Sequence, residues 1–295
     1  MKFQDSKEAL NFTKSLECWT KSIEICPISG GISNYNFLVT HGDDKFVIRV
    51  NGDVPEHGVS RLNDFNCNTA AAKAGVAPPV FYYHPNALAV YYIEGQPIEI
   101  ADVSNQKHLQ EIVGLIKTTH REASREITGS VASFWPFRIC GNYISFLKSQ
   151  DSRIRSELSL MLERNLKLEG IVGKVDLVLG HNDLLVTNIL NDGKRLWLID
   201  WEYAGFTSPL FDLANLSANN NLTNTKDEWI LEHYFEAPNT EELLIKFNAM
   251  KCASILRETL WSFVSELQPR LAFDYKKYSD DLYQQFLKSY ASLLG

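Results

Sequence analysis

His181-Asn182-Asp183-Leu184-Leu185-Val186-Thr187-Asn188 is followed closely by Leu198-Ile199-Asp200-Trp201-Glu202-Tyr203. An Asp, an Asn and a second Asp therefore sit on two short apolar segments. This set suits phosphoryl transfer: one carboxylate orients a hydroxyl, while an amide and a second carboxylate hold magnesium. Asp183 is the candidate catalytic group, because a carboxylate within reach of an acceptor hydroxyl both aligns it and takes its proton. Asn188 and Asp200 are the candidate metal ligands, oxygen donors suited to a hard ion that keeps several waters. Taken singly, Asp183 reads as a turn cap, Asn188 as a turn residue and Asp200 as a strand end; their joint spacing favours chemistry. His181 reads as a structural group that fixes the loop. The ligand spacing of a zinc site is absent.

A phosphate end and an acceptor end can be sought around this set. Gly30-Gly31-Ile32-Ser33-Asn34 lies between two expected strands, where glycines allow close backbone approach and Ser33 and Asn34 can donate hydrogen bonds. It is not a G-x-G-x-x-G, and no P-loop pattern occurs, so dinucleotide and P-loop readings fail. Arg49 stands in the otherwise apolar Val47-Ile48-Arg49-Val50, so it points to solvent or meets an anion, such as a nucleotide phosphate or Asp64 on the next helix. Tyr203, Trp201, Trp261, Tyr275 and Tyr278 form a set of aromatics that reads as core or as faces for a quaternary ammonium.

The elements that must position these groups follow from pattern. Glu24 to Ile28, Tyr35 to Thr40 and Phe46 to Val50 read as strands, the last two a hairpin around Gly42-Asp43-Asp44. Ser60 to Ala74 reads as a helix closed by Gly75, and Val80 to Tyr83 with Ala87 to Ile93 as a second strand pair. Glu94-Gly95-Gln96-Pro97 punctuates the chain as a hinge. Beyond it, helices are expected from a Ser104 N-cap to His120, from about Asp151 to Leu166, from about Thr240 to Val264 with a break, and over Tyr278 to Leu293. Val175 to Leu179 is the expected strand that delivers Asp183. The Asn191-Asp192-Gly193 turn joins Asn188–Leu190 to Leu196–Ile199 and holds Asn188 and Asp200 near one end. The division is a strand-rich lobe over residues 1–94 and a helical catalytic and acceptor lobe over 95–295.

The chain has 295 residues, 45% hydrophobic and 22% charged, with a formal net charge of -7. That composition suits a globular protein and argues against a nucleic-acid binder, which needs a basic face. Five scattered cysteines with no C-x-x-C read as reduced thiols of a cytoplasmic protein. The charged N-terminal segment is unlike a signal peptide, and no apolar run suits membrane insertion.

Together these residues resemble the choline/ethanolamine kinase family, especially its bacterial choline kinase branch, within the wider aminoglycoside phosphotransferase and protein-kinase-like fold. The similarity runs from about Ile25 to the C-terminus. It is carried by His181 to Asn188, Ile199 to Tyr203, Phe211-Asp212-Leu213-Ala214-Asn215, Leu260-Trp261-Ser262 and Phe273-Asp274-Tyr275-Lys276-Lys277-Tyr278. The resemblance implies an α+β, two-lobed protein-kinase-like fold. It also implies transfer of the γ-phosphoryl group of ATP, with Mg2+, to a small-molecule alcohol, choline first.

The resemblance further implies that Asp183 is the catalytic Asp and that Asn188 and Asp200 are the magnesium ligands. Ser33 and Asn34 would then cover the ATP phosphates, Arg49 would contact them beside Asp64, and the hinge segment from Tyr91 to Glu94, which includes Ile93, would meet adenine. Tyr203, Trp261 and Tyr278 resemble an aromatic cage around a trimethylammonium group, and Asn219 falls near an acceptor-site Glu of eukaryotic relatives. Three departures stand out. Asp64 replaces the Glu of many relatives, Asn219 carries no charge, and Glu258 stands where some relatives place another cage Trp. Ethanolamine, thiamine and an aminoglycoside are the alternative acceptors. A non-catalytic ligand-binding protein of the same fold and a metal-dependent hydrolase are rivals of other classes.

Overall fold

The computed structural model describes residue 3 and residues 5–28, 34–269 and 273–294. Helix α1 (Ser6–Lys14) precedes strands β1 (Ile23–Pro27), β2 (Tyr35–His41) and β3 (Asp44–Val50). Helix α2 (Arg61–Lys73) follows, then β4 (Val80–His84) and β5 (Ala87–Tyr91). These strands form one antiparallel sheet in the order β1-β2-β3-β5-β4. Alternation decides its faces. Phe37, Val39, Ile48, Val50, Ala87 and Ala89 join Ala9 and Leu16 of the N-terminal segment in one small core. Arg49, between Ile48 and Val50, must then project from the opposite face, toward α2.

The chain leaves this sheet through β6 (Gln96–Pro97), which pairs with β8 (Ile189–Asn191) rather than with the five-stranded sheet. The segment expected as a hinge is therefore a two-residue strand laid on the catalytic hairpin. Gly95 is required there, because an added Cβ would lie 2.7 Å from the Asn191 carbonyl oxygen. Helices α3 (Ile100–Ser104), α4 (Gln106–Arg121), α5 (Pro136–Ser149) and α6 (Leu158–Val172) come next. Strands β7 (Val178–Gly180), β8, β9 (Leu196–Leu198) and β10 (Gly205–Thr207) carry the loops of interest, and α7 (Pro209–Asn219), α8 (Asn224–Phe235), α9 (Glu241–Leu267) and α10 (Tyr275–Leu294) complete the chain. Helix α9 is buried along most of its length and packs against α5, α6, α7 and α10. No helix among the described residues is long and apolar enough to cross a membrane.

Several expected boundaries are corrected. Ser104 ends α3 instead of capping the next helix; Asn105 does so, its side chain accepting from the Lys107 and His108 amides at 2.9 and 3.4 Å. The helix expected from Asp151 begins at Leu158; Arg153, ahead of it, pairs with Glu266 and Asp280 at 2.8 Å each. Helix α9 has no break: Thr259 and Ser262, which compete for backbone partners, return their hydroxyls to the Ile255 and Thr259 carbonyls within the helix. Helices α1, α3, α5, α7 and α8 had no counterpart in the pattern-based reading.

Candidate active site

Strand β7 ends at Gly180 and releases the chain into His181-Asn182-Asp183. Helix α7 holds this loop by its polar side chains. Asp212 accepts the His181 amide at 2.8 Å and the Asn182 amide at 2.7 Å, and meets His120 Nε2 at 2.9 Å. Asn215 accepts the Leu184 amide at 2.6 Å, and Asn220 donates to the Leu184 carbonyl at 3.1 Å. Asn182 adopts φ 65°, a left-handed conformation that Asn tolerates better than most residues. The His181 ring is buried against Trp201 and meets the Ile199 carbonyl at 2.9 Å; burial lowers its pKa, and it ties the two segments together.

Asn188 donates through Nδ2 to the Asp183 carbonyl at 2.9 Å and to Asp183 Oδ2 at 3.2 Å. The Ile199 amide donates to the Asn188 carbonyl at 3.0 Å, which brings Asp200 beside Asn188. Asp200 leaves β9 with φ 67°, so its carboxylate turns out of the strand direction. Burial pushes the Asp183 carboxyl up to about 7; the Arg257 guanidinium opposes this, and Glu258, Asp200 and Glu202 reinforce it. Burial also raises Asp200, against the pull of Arg49. Asn188 spends its amide nitrogen on Asp183, which assigns Oδ1 to the ligand side. One amide oxygen and one carboxylate fit magnesium, which binds few protein ligands and keeps water and phosphate as the rest.

Arg49 is the centre of a second cluster, one that could meet phosphates. Its Nη2 lies 2.7 and 2.9 Å from the two oxygens of Asp64, and its Nη1 donates to Asp200. Asp64 is fully buried, so the shorter arm still makes a two-oxygen contact. Arg61, at the start of α2, extends the network to Asp64 at 3.3 Å, Glu202 Oε2 at 3.1 Å and Asn34 Oδ1 at 2.7 Å. Asn34 closes the ring by donating to Glu202 at 3.0 Å. Its amide therefore serves an ion network, where sequence alone suggested a phosphate cover. Gly30, Gly31 and Ser33 lie outside the described residues. Sequence reasoning missed Arg61; its signal was an i,i+3 placement before Asp64.

The aromatic residues singled out as a candidate acceptor site gather around α9. Trp261 Nε1 donates to the Tyr203 hydroxyl at 2.9 Å, and the Tyr278 hydroxyl donates to Glu258 Oε1 at 3.1 Å. Arg257, which sequence reasoning also missed, is buried between them. It donates to Glu258 Oε2 at 2.6 Å and to the Asn182 carbonyl at 3.1 Å, and its Nη2 lies 3.7 Å from Asp183 Oδ1. Its guanidinium carbon stands 5.0 Å from the centre of the Tyr203 ring. Asn219 is the last residue of α7; the neighbour that reaches the catalytic loop is Asn220. Tyr91 ends β5, its amide donating to Pro79 and the Tyr92 amide to Lys45, so Ile93 lies just past the ladder.

The chain is also similar to known proteins. Residues 25–225 match the family described as choline/ethanolamine kinase. The chain is 27% identical over 241 residues to protein LicA of Haemophilus influenzae, covering 79% of this chain and 70% of that protein. It is 25% identical over 281 residues to ethanolamine kinase 2 of Mus musculus, covering 83% and 70% respectively. A structure of LicA in complex with AMP superposes with TM-score 0.77 at 21% identity, over 99% of this chain and 100% of that one. An aminoglycoside phosphotransferase, solved as a thermostable mutant, gives TM-score 0.64 at 17% identity over 91% and 95%, and these likenesses show the kinase-like fold. With the family match spanning most of its length, the chain belongs to the choline/ethanolamine kinase family, phosphotransferases that act on an alcohol group.

Proposed function

We propose that this protein transfers the γ-phosphoryl group of ATP to the hydroxyl of a small amino alcohol, choline or ethanolamine. The observation that carries the reading is the contact between Asn188 and both the carbonyl and carboxylate of Asp183, with Asp200 alongside and joined to Arg49. Asp183 would align the acceptor hydroxyl and take its proton; a carboxyl raised toward neutrality by burial suits that task. Asn188 and Asp200 would hold magnesium, which would offset the negative charge of the phosphates. Arg49, kept in place by Asp64, would meet the phosphates, and backbone groups from Tyr91 to Ile93 would meet adenine. One fold relative was solved with AMP, which supports nucleotide use. The residue 94/95 junction is our proposed division between the nucleotide lobe and the acceptor lobe.

Choline is the acceptor favoured by the aromatic set of Tyr203, Trp261 and Tyr278. Ethanolamine is favoured by a different observation, the carboxylate of Glu258 under the Tyr278 hydroxyl. An ATP-consumption assay across choline, ethanolamine, thiamine and an aminoglycoside tests the proposal. Turnover of an amino alcohol, lost in Asp183→Ala, is the expected result; turnover restricted to thiamine or the aminoglycoside would refute it.

A further inference from the structure

Glu258 and Asp183 are joined by a single guanidinium. Arg257 Nη1 donates to Glu258 Oε2 at 2.6 Å, while Nη2 lies 3.7 Å from Asp183 Oδ1. This cluster sets two carboxyl groups against one buried cation. One planar group stands beside both carboxylates, so Glu258 lies near Asp183. A small amino alcohol would set its hydroxyl at Asp183 and its cationic nitrogen at Glu258.

The neighbouring rings are already engaged. Arg257 stands over Tyr203 at 5.0 Å, and the Tyr203 hydroxyl accepts from Trp261. Trp261 is buried and packs on His57 with ring centres 5.2 Å apart. The Tyr278 hydroxyl is directed at Glu258. A fully methylated ammonium has no N–H and depends on open ring faces. A nitrogen that bears N–H can instead donate a charge-assisted hydrogen bond to the carboxylate.

We propose that Glu258 is the specificity-determining residue of the acceptor pocket, selecting amino alcohols whose cationic nitrogen bears N–H over quaternary ones. The proposal rests on the amino-alcohol kinase reading above. Each methyl group replaces a donor and sets apolar surface against a charge. A site built to hydrogen-bond its ligand strongly rejects an analogue without the donor.

The test is a methylation series on the 295-residue chain with saturating ATP and magnesium: ethanolamine, N-methylethanolamine, N,N-dimethylethanolamine and choline. The expected kcat/KM falls along the series by about tenfold or more, most steeply at the last methylation, where the final N–H disappears. Glu258→Gln keeps the shape and removes the charge; it is expected to lower kcat/KM for ethanolamine by about tenfold or more and to shrink its ratio to choline. Tyr278→Phe, which frees Glu258 from its orienting hydroxyl, is expected to shrink the ratio less. A flat series, or one rising toward choline, overturns the proposal, as does a ratio unchanged in Glu258→Gln. Absence of turnover with every acceptor would instead refute the kinase reading. Specificity would then be read by calorimetric binding of ethanolamine and choline: tighter ethanolamine supports the role of Glu258, and equal or tighter choline overturns it.

Discussion

Arg49 presents Nη2 to both carboxylate oxygens of Asp64, at 2.7 and 2.9 Å, and Nη1 to Asp200, so one guanidinium joins the sheet to α2 and to the catalytic hairpin. Arg49→Ala is expected to lower kcat/KM for ATP by about 10²-fold or more, the scale of removing one aimed charge donor. Arg49→Lys should recover part of this, because a single ammonium lacks the fork that serves two carboxylates at once. Steady-state ATP kinetics on the two variants checks both expectations.

Asp183→Ala removes the group placed to hold the acceptor hydroxyl. Turnover is expected to fall by about 10²–10⁴-fold while ATP binding is retained. Titration calorimetry with ATP separates this from unfolding, which would abolish binding as well.

Asn188→Ala removes one of the two oxygen donors assigned to the metal and also the amide that steadies Asp183. The half-saturating magnesium concentration should rise and kcat should fall together. Chelation of magnesium should abolish turnover in the unaltered protein and re-addition should restore it. A magnesium titration of the activity in both proteins decides the point.

Asp212 anchors the catalytic loop through two backbone amides and His120. Burial works to raise its pKa, yet the hydrogen bond and charge interaction with His120 and the His181 contacts hold it below the usual 3.8. The unfolded chain therefore binds a proton here before the folded one does. The resulting stability is full above the unfolded value and is lost as pH falls through the folded value. Thermal denaturation across that acid range should show a slope with pH that flattens in Asp212→Asn. Near neutral pH that variant should lose about 1–3 kcal/mol of stability, the cost of leaving buried donors without their acceptor.

Gly95→Ala forces a Cβ to within 2.7 Å of the Asn191 carbonyl, a backbone atom with little freedom to move. A loss of about 1–3 kcal/mol is expected, with the β6–β8 pairing disturbed. Thermal unfolding measures the loss, and magnesium-dependent ATP kinetics shows whether the shift reaches Asn188 on the same hairpin.

Local features were readable because local forces set them. The hairpin that carries Asn188 and Asp200 follows from a polar turn between apolar triplets, and Gly193 supplies its left-handed conformation at φ 84°. Arg49's face follows from alternation with Ile48 and Val50. Helix ends were harder. Ser104 and Asn105 are both good caps, and Asn105 takes the role with its own backbone extended and its oxygen on the first-turn amides. The start of α6 carries no cap signal: Glu157 precedes it with no side-chain cap hydrogen bond.

By itself the sequence determined which residues could carry phosphoryl transfer, because Asp183, Asn188 and Asp200 lie on segments whose short-range pairing brings them together. Tertiary structure alone decided their surroundings. Asn34 meets Glu202 across 168 residues, Arg61 meets Glu202 across 141, and Arg257 meets the Asn182 carbonyl across 75. Such contacts depend on where helices cross and what burial leaves without water. Periodicity reports only that a face is turned inward, and it cannot name the charge waiting there. The acceptor pocket is therefore set less by the aromatic residues visible in the sequence than by Arg257, which links Glu258 to the carboxylate of Asp183.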